Sequence, residues 1–228
     1  MPRISVAGLS LRIFAVISAT ALSLAPLGRA QEPQQPSPPA QQAAPPLTDA
    51  VPDDLPGKTI VQLFELQEYE VRSSAEAMPA DKWDYRPAPT YFKAEKPEYG
   101  PPQVRTFAEQ VKHVACSNFA FAAELDGAKP PEACDKGGPS PAKTRVELLN
   151  YLRDSFEALK KSLAAITVKN MNDPIEGPYA TPNNRLGLAE VCIWHAADHY
   201  GQMTIYLREN NVVPPTSRAN PPKLQEKY

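Results

Sequence analysis

Between residues 57 and 215 the apolar positions recur with a helical period, and four segments carry that pattern. In the first, from about Lys58 to Ala77, Ile60, Leu63, Phe64, Leu66, Tyr69 and Val71 mark the apolar positions, and Met78-Pro79 stops the helix. The second opens on Thr106-Phe107-Ala108-Glu109, where Thr106 can cover a free amide and Glu109 can reach back in a capping box. It continues to about Leu125 and ends at Gly127. For the third helix, Ser140-Pro141 offers a cap and first-turn proline, and Thr144 to Glu147 offers a capping box slightly later. Its face reads Val146, Leu149, Leu152, Phe156, Leu159, Leu163 and Ile166. The fourth runs from about Asn184 to Asn210, with Leu188, Cys192, His195, His199, Gln202 or Met203, and Tyr206 on its inward stripe. No segment reads as a strand. Four amphipathic helices must bury their stripes against one another, so the expected fold is all-α, a four-helix bundle whose topology the periodicity leaves open.

The two ends follow different rules. Residues 1–30 have the layout of a secretory signal, with Arg3 and Arg12, an apolar run from Ile13 to Leu24, and small residues at Gly28 and Ala30. That run is short for a membrane span, so the mature chain is expected to begin near Gln31, exported to a periplasmic or extracellular address without stable membrane insertion. Residues 31–56 hold eight prolines among many Gln and Ala, the composition of a disordered tether. The bundle is assigned to 57–215 and a C-terminal tail, wrapping or trailing, to 216–228. Cleavage near Gln31 removes three arginines and no acidic residue, taking the formal charge from −2 to −5, which argues against a nucleic-acid partner. There is no glycine-rich phosphate loop and no serine-nucleophile motif.

The chain has three cysteines and three histidines. An odd cysteine count in an oxidising compartment allows one intramolecular disulfide and leaves one thiol over. Cys116 and Cys134 can pair and tie the loop to the second helix. Cys116 and Cys192, each three residues from a histidine, can also serve as a fourth ligand or nucleophile, or simply pack. His195 and His199 lie four apart, which puts both imidazoles on one helical face about 6 Å apart, within chelating reach. That pair by itself also fits ordinary packing. His113, in the second helix, reads equally as a surface residue hydrogen-bonded to Glu109. The long loop after the first helix is aromatic, with Trp83, Tyr85, Tyr91, Phe92 and Tyr99 able either to roof a pocket or to seal one end of the core.

Taken together, these motifs resemble the DinB/YfiT-like putative metalloenzyme superfamily. The run from Thr106 to Ala115, containing His113, is similar to that family's first histidine helix. His195 to Gln202, followed by Tyr206-Leu207-Arg208 and Val213-Pro214-Pro215, is similar to its second signature, and Met78-Pro79 with Asp81 to Pro87 resembles the segment after the first helix. Asn210-Asn211 stands where the family usually has glycine. The resemblance implies a bundle that binds one divalent metal, zinc foremost with nickel or iron as alternatives, through His113, His195 and His199.

Three imidazoles leave a coordination position open, as in catalytic rather than closed structural zinc sites. Some members of the superfamily are thiol-dependent transferases or isomerases, which implies a metal-dependent transferase or hydrolase here, acting on a small-molecule substrate or thiol. Asp198 and Glu109 are candidates to orient a ligand histidine, and Gln202 to contact substrate, each with solvated-face or packing roles as the alternative. A non-catalytic exported module holding metal or a small ligand fits the same residues, and so does a homodimer.

Overall fold

The computed structural model describes residues 51–87, 104–134, 142–178, 183–226 and 228. The signal segment, most of the tether, Tyr91, Phe92, Tyr99 and the Ser140-Pro141 cap lie outside the described residues. Among the described residues four α-helices form: α1 (Leu55–Ala77), α2 (Phe107–Leu125), α3 (Arg145–Ala164) and α4 (Arg185–Glu209). Short 3-10 turns occupy Ala80–Lys82, Glu132–Cys134 and Pro215–Ser217. Among the described residues no strand forms, and one isolated bridge joins Pro174 to Asn184 at the foot of α4. None of the described helices is long and apolar enough to cross a membrane.

Local chemistry sets the helix boundaries. α1 starts three residues earlier than its apolar pattern indicates, because Pro56 is tolerated in a first turn whose amide would be free anyway. Gly57 lies against the end of α3. Its amide donates to the Ile166 carbonyl at 3.0 Å, and a Cβ there would sit 2.6 Å from that oxygen. Both expected capping boxes are present, at Thr106/Glu109 and Thr144/Glu147, and the second fixes the start of α3. Asn184 caps α4 through Gly187 at 2.8 Å. Past the other end of α4, Asn211 takes φ 60, so asparagine fills the left-handed position that glycine usually occupies.

α1 and α2 each pack against both α3 and α4, which places the sequence neighbours α1/α2 and α3/α4 on the diagonals of the bundle. Phe64, Phe107, Phe121 and Phe156 are fully buried between the helices, with Phe64 and Phe156 rings 5.2 Å apart. Most of the expected stripe residues are in this core, but Tyr69 and His195 are half-buried. Leu63, Leu66 and Val146 are about half exposed. The buried face of α1 runs instead through Gly57, Ile60, Phe64, Glu68, Val71, Arg72 and Ala75. A Leu66→Gln substitution is therefore expected to change unfolding free energy by less than about 0.5 kcal/mol, read from urea denaturation. A loss of about 2 kcal/mol would instead place Leu66 in the core.

The C-terminal tail does not trail. Tyr69 donates to the Pro222 carbonyl at 3.0 Å and Arg72 to the Gln225 carbonyl at 2.6 Å. Arg153 of α3 donates to the Glu226 carbonyl at 3.0 Å, and the Tyr228 hydroxyl donates to Glu76. The tail thus straps α1 to α3.

Candidate metal centre

The α2/α4 interface carries all three histidines. The Thr106 box sets the register of α2, and His113 follows two turns later. Asn184 and the Asn210 end fix α4, where His195 and His199 sit one turn apart on the same face. The Nε2 atoms of His195 and His199 are 3.2 Å apart. The His113 ring lies 4.6 Å from that of His199 and 5.4 Å from that of His195. One ligand nitrogen from each residue falls within 4.8 Å of the other two. The edge of the Phe121 ring closes the far side of His195, 5.3 Å away. His199 is buried and the other two are half-buried.

That geometry fits a metal ion. With Zn–N bonds near 2.0–2.1 Å, tetrahedral geometry puts neighbouring nitrogens about 3.3 Å apart, close to the His195–His199 separation. The donors must also be neutral. Burial pushes the His113 imidazole down to about 4, helped by the charge of Arg105 and by His199. Burial likewise pushes His195 down to about 3, with His199, His113 and Arg105 adding to it. His199 is lowered too: burial dominates, Asp198 opposes it, Arg105 reinforces it, and the Gln202 amide opposes it. All three are therefore lone-pair donors at neutral pH. A cluster of imidazoles can hold an ion in this form.

These depressed values also link the metal-free protein's stability to pH. Below about 6.5 the unfolded histidines take up protons while folded His113 and His195 stay neutral, so the contribution is intact above that pH and is lost as pH falls toward the folded values. Metal-free protein is expected to show a lower urea midpoint at pH 5.5 than at 7.5, where most carboxylates remain ionised at both. The His195→Gln variant should show a shallower dependence, and an identical pH dependence in the two proteins would refute the linkage.

The residues expected around the triad divide sharply. Glu109 accepts from the Thr106 amide at 2.6 Å and from Arg86 at 3.4 Å, and Asp198 accepts from Gln202 at 2.8 Å, so neither is bonded to a histidine. The Nδ1 atoms of His195 and His199 are buried with no hydrogen-bond partner among the described residues. Cys116 is not available as a ligand, because it forms a disulfide with Cys134 across a Cα separation of 5.0 Å. Together with His113 these cysteines line a cavity of about 230 Å³. Cys192 keeps a free thiol that is fully buried, and burial pushes its pKa far up, which makes it a packing residue rather than a nucleophile. Trp83 donates to the Met78 carbonyl at 3.2 Å and meets Phe107 edge-on, and Tyr85 donates to Glu209 at 2.9 Å and meets Tyr206 edge-on. Both seal the end of the core.

One contributor was missed. Gln110 is buried on α2 and donates to Gln202 on α4, and Gln202 donates in turn to Asp198. Its signal was present in the spacing: Gln110 precedes His113 by three residues and Gln202 follows His199 by three. On antiparallel helices those positions meet one turn from the triad.

The family model of the DinB superfamily matches residues 63–203, which contain α2 and α3 entire, most of α1 and α4, and the whole histidine cluster. The chain belongs to the DinB superfamily. No curated protein matches it.

Proposed function

We propose that this protein binds one divalent metal ion, zinc foremost, through His113, His195 and His199, and that it is a metal-dependent transferase or hydrolase acting on a small molecule. The observation that carries this is the convergence of three neutral imidazoles from two helices on one point. A divalent ion held there supplies Lewis acidity, easing deprotonation of a water or thiol at its remaining position. The chain's own contribution is placement. The caps of α2 and α4 hold the ligand helices, and Phe121 and the core around it exclude water from the back of the cluster. The Gln110–Gln202–Asp198 chain ties the two helices together one turn away.

That neither Glu109 nor Asp198 is hydrogen-bonded to a histidine favours a second reading, a non-catalytic module that holds metal or a small ligand. In both readings the protein is exported after cleavage near Gln31. The Cys116–Cys134 disulfide supports this, because such bonds persist in oxidising compartments.

Elemental analysis of the protein purified without chelating resin tests the site. About one equivalent of zinc, nickel or iron is expected, and loss of that metal in a His195→Ala, His199→Ala variant that keeps its helical circular dichroism. If the wild type stays metal-free after incubation with each ion, the metal reading fails. Turnover of thioester, ester or thiol-transfer substrates by the loaded protein separates enzyme from binding module.

A further inference from the structure

Arg105, the residue before the α2 cap, stands where two cavities meet. It lines the small cavity that touches His113 and a larger one of about 630 Å³ between α2 and α4, walled by Gln110, Gln202, Ile205 and Tyr206. Its backbone is held in place, because the Tyr206 hydroxyl donates to its carbonyl at 2.7 Å. Its side chain is exposed, and the guanidinium makes no hydrogen bond or ion pair with the described residues. Among the described residues, then, a cation stands where the two cavities meet with no anion paired to it.

The second observation is Gln110, 1 % exposed, on the wall of the larger cavity. Asp198 is an acceptor, so Gln202 must turn its NH₂ toward Asp198 and its carbonyl toward Gln110. Gln110 must then use its own NH₂ on Gln202. The orientation of the whole chain is fixed from the carboxylate end, and it leaves Gln110 Oε1 buried with no donor. An unsatisfied buried acceptor is costly, and functional sites are where such atoms persist.

We infer that the α2/α4 cavity binds a small organic acid, its carboxylate on Arg105, a neighbouring N–H or O–H donating to Gln110 Oε1, and its hydrocarbon part against Ile205 and Tyr206. Arg105 is the one cation among the described residues of that wall, which matches a single negative charge better than a phosphate dianion, and its fork suits a carboxylate. The inference deepens the metal-site reading and rests on it only for what happens to the bound acid: the Gln110–Gln202 contact lies one helical turn from the triad, so the acid is held beside the ion.

Calorimetric titration of the full chain, zinc-loaded and metal-free, with inorganic phosphate and three organic probes tests it. N-acetyl-leucine carries the carboxylate, the N–H and an apolar chain, N-acetyl-leucine amide lacks the charge, and 4-methylpentanoate lacks the N–H. The acid is expected to bind at least about tenfold more tightly than its amide, and Arg105→Gln, a change at an exposed side chain, to weaken it by a similar factor. 4-Methylpentanoate should bind several-fold more weakly than N-acetyl-leucine, which reads Gln110 without altering the core. Binding that depends on Arg105 in a protein that takes up no zinc would leave this inference standing and remove the metal reading. The inference is overturned, with the metal reading untouched, if a zinc-binding protein holds acid and amide equally, is indifferent to Arg105→Gln, prefers inorganic phosphate, or binds none of the probes.

Discussion

Replacing Arg72 with alanine is expected to lower unfolding free energy by about 3 kcal/mol, among the largest effects of any single change outside the aromatic core. Arg72 and Glu68 form an ion pair at 2.5 Å, with both side chains less than a tenth exposed. Lys160 of α3 reaches the other Glu68 oxygen at 2.7 Å and also pairs with Glu157. Arg72 further holds the Gln225 carbonyl and the Tyr228 hydroxyl. Removing it leaves a buried carboxylate with one cation instead of two and releases the tail from α1. Breaking such a pair costs more than the pair itself contributes, because desolvation of the remaining charge is no longer compensated. The check is urea denaturation, where the midpoint should fall at unchanged slope. The loss should change little between low and high salt, since buried charges are poorly screened. A loss under about 1 kcal/mol, or one that disappears in salt, would mean the pair behaves as a surface contact.

The same network shows where the sequence stops being legible. Glu68 and Arg72 lie on the buried face of α1, four residues apart, but a pattern of apolar positions assigns that face to Leu63 and Leu66 instead. Nothing local marks the error. Lys160 and the tail residues that make burial of these charges tolerable are far along the chain, and only folding brings them to α1. The capping boxes, by contrast, were readable because donor and acceptor sit three residues apart, as was the His195/His199 pair, whose geometry is a property of one helix. His113 is intermediate. Its helix was predictable, but its convergence with the other two depends on α2 and α4 being adjacent, which periodicity does not fix. Gln110 was hidden for the same reason, and the disulfide was legible as one of several uses for Cys116.

Zinc affinity at pH 5.5 is expected to stay within about tenfold of its value at pH 7.5, although ordinary histidines lose their ligands over this range. A histidine titrating near 6.5 is about nine-tenths protonated at pH 5.5, so three such groups would cost about a thousandfold in affinity. Here the folded chain has already excluded those protons. Burial holds His113 down to about 4 and His195 to about 3, so these two ligands remain neutral at pH 5.5 before any ion arrives, and it lowers His199 as well, which takes up protons less readily than an ordinary histidine. The sign follows directly: protons compete with the metal only below the folded values, and release moves to a more acidic window. Competition against a zinc indicator at the two pH values measures it, with a peptide of α4 alone as the exposed reference. Thermal melts give a second readout, since zinc at a hundred times its Kd should add about 2.7 kcal/mol of stability to the wild type and none to the His195→Ala, His199→Ala variant. A thousandfold loss of affinity at pH 5.5 would show that the imidazoles are hydrated before zinc binds. The wall of Phe121 and the helix caps would then position the ligands without drying them.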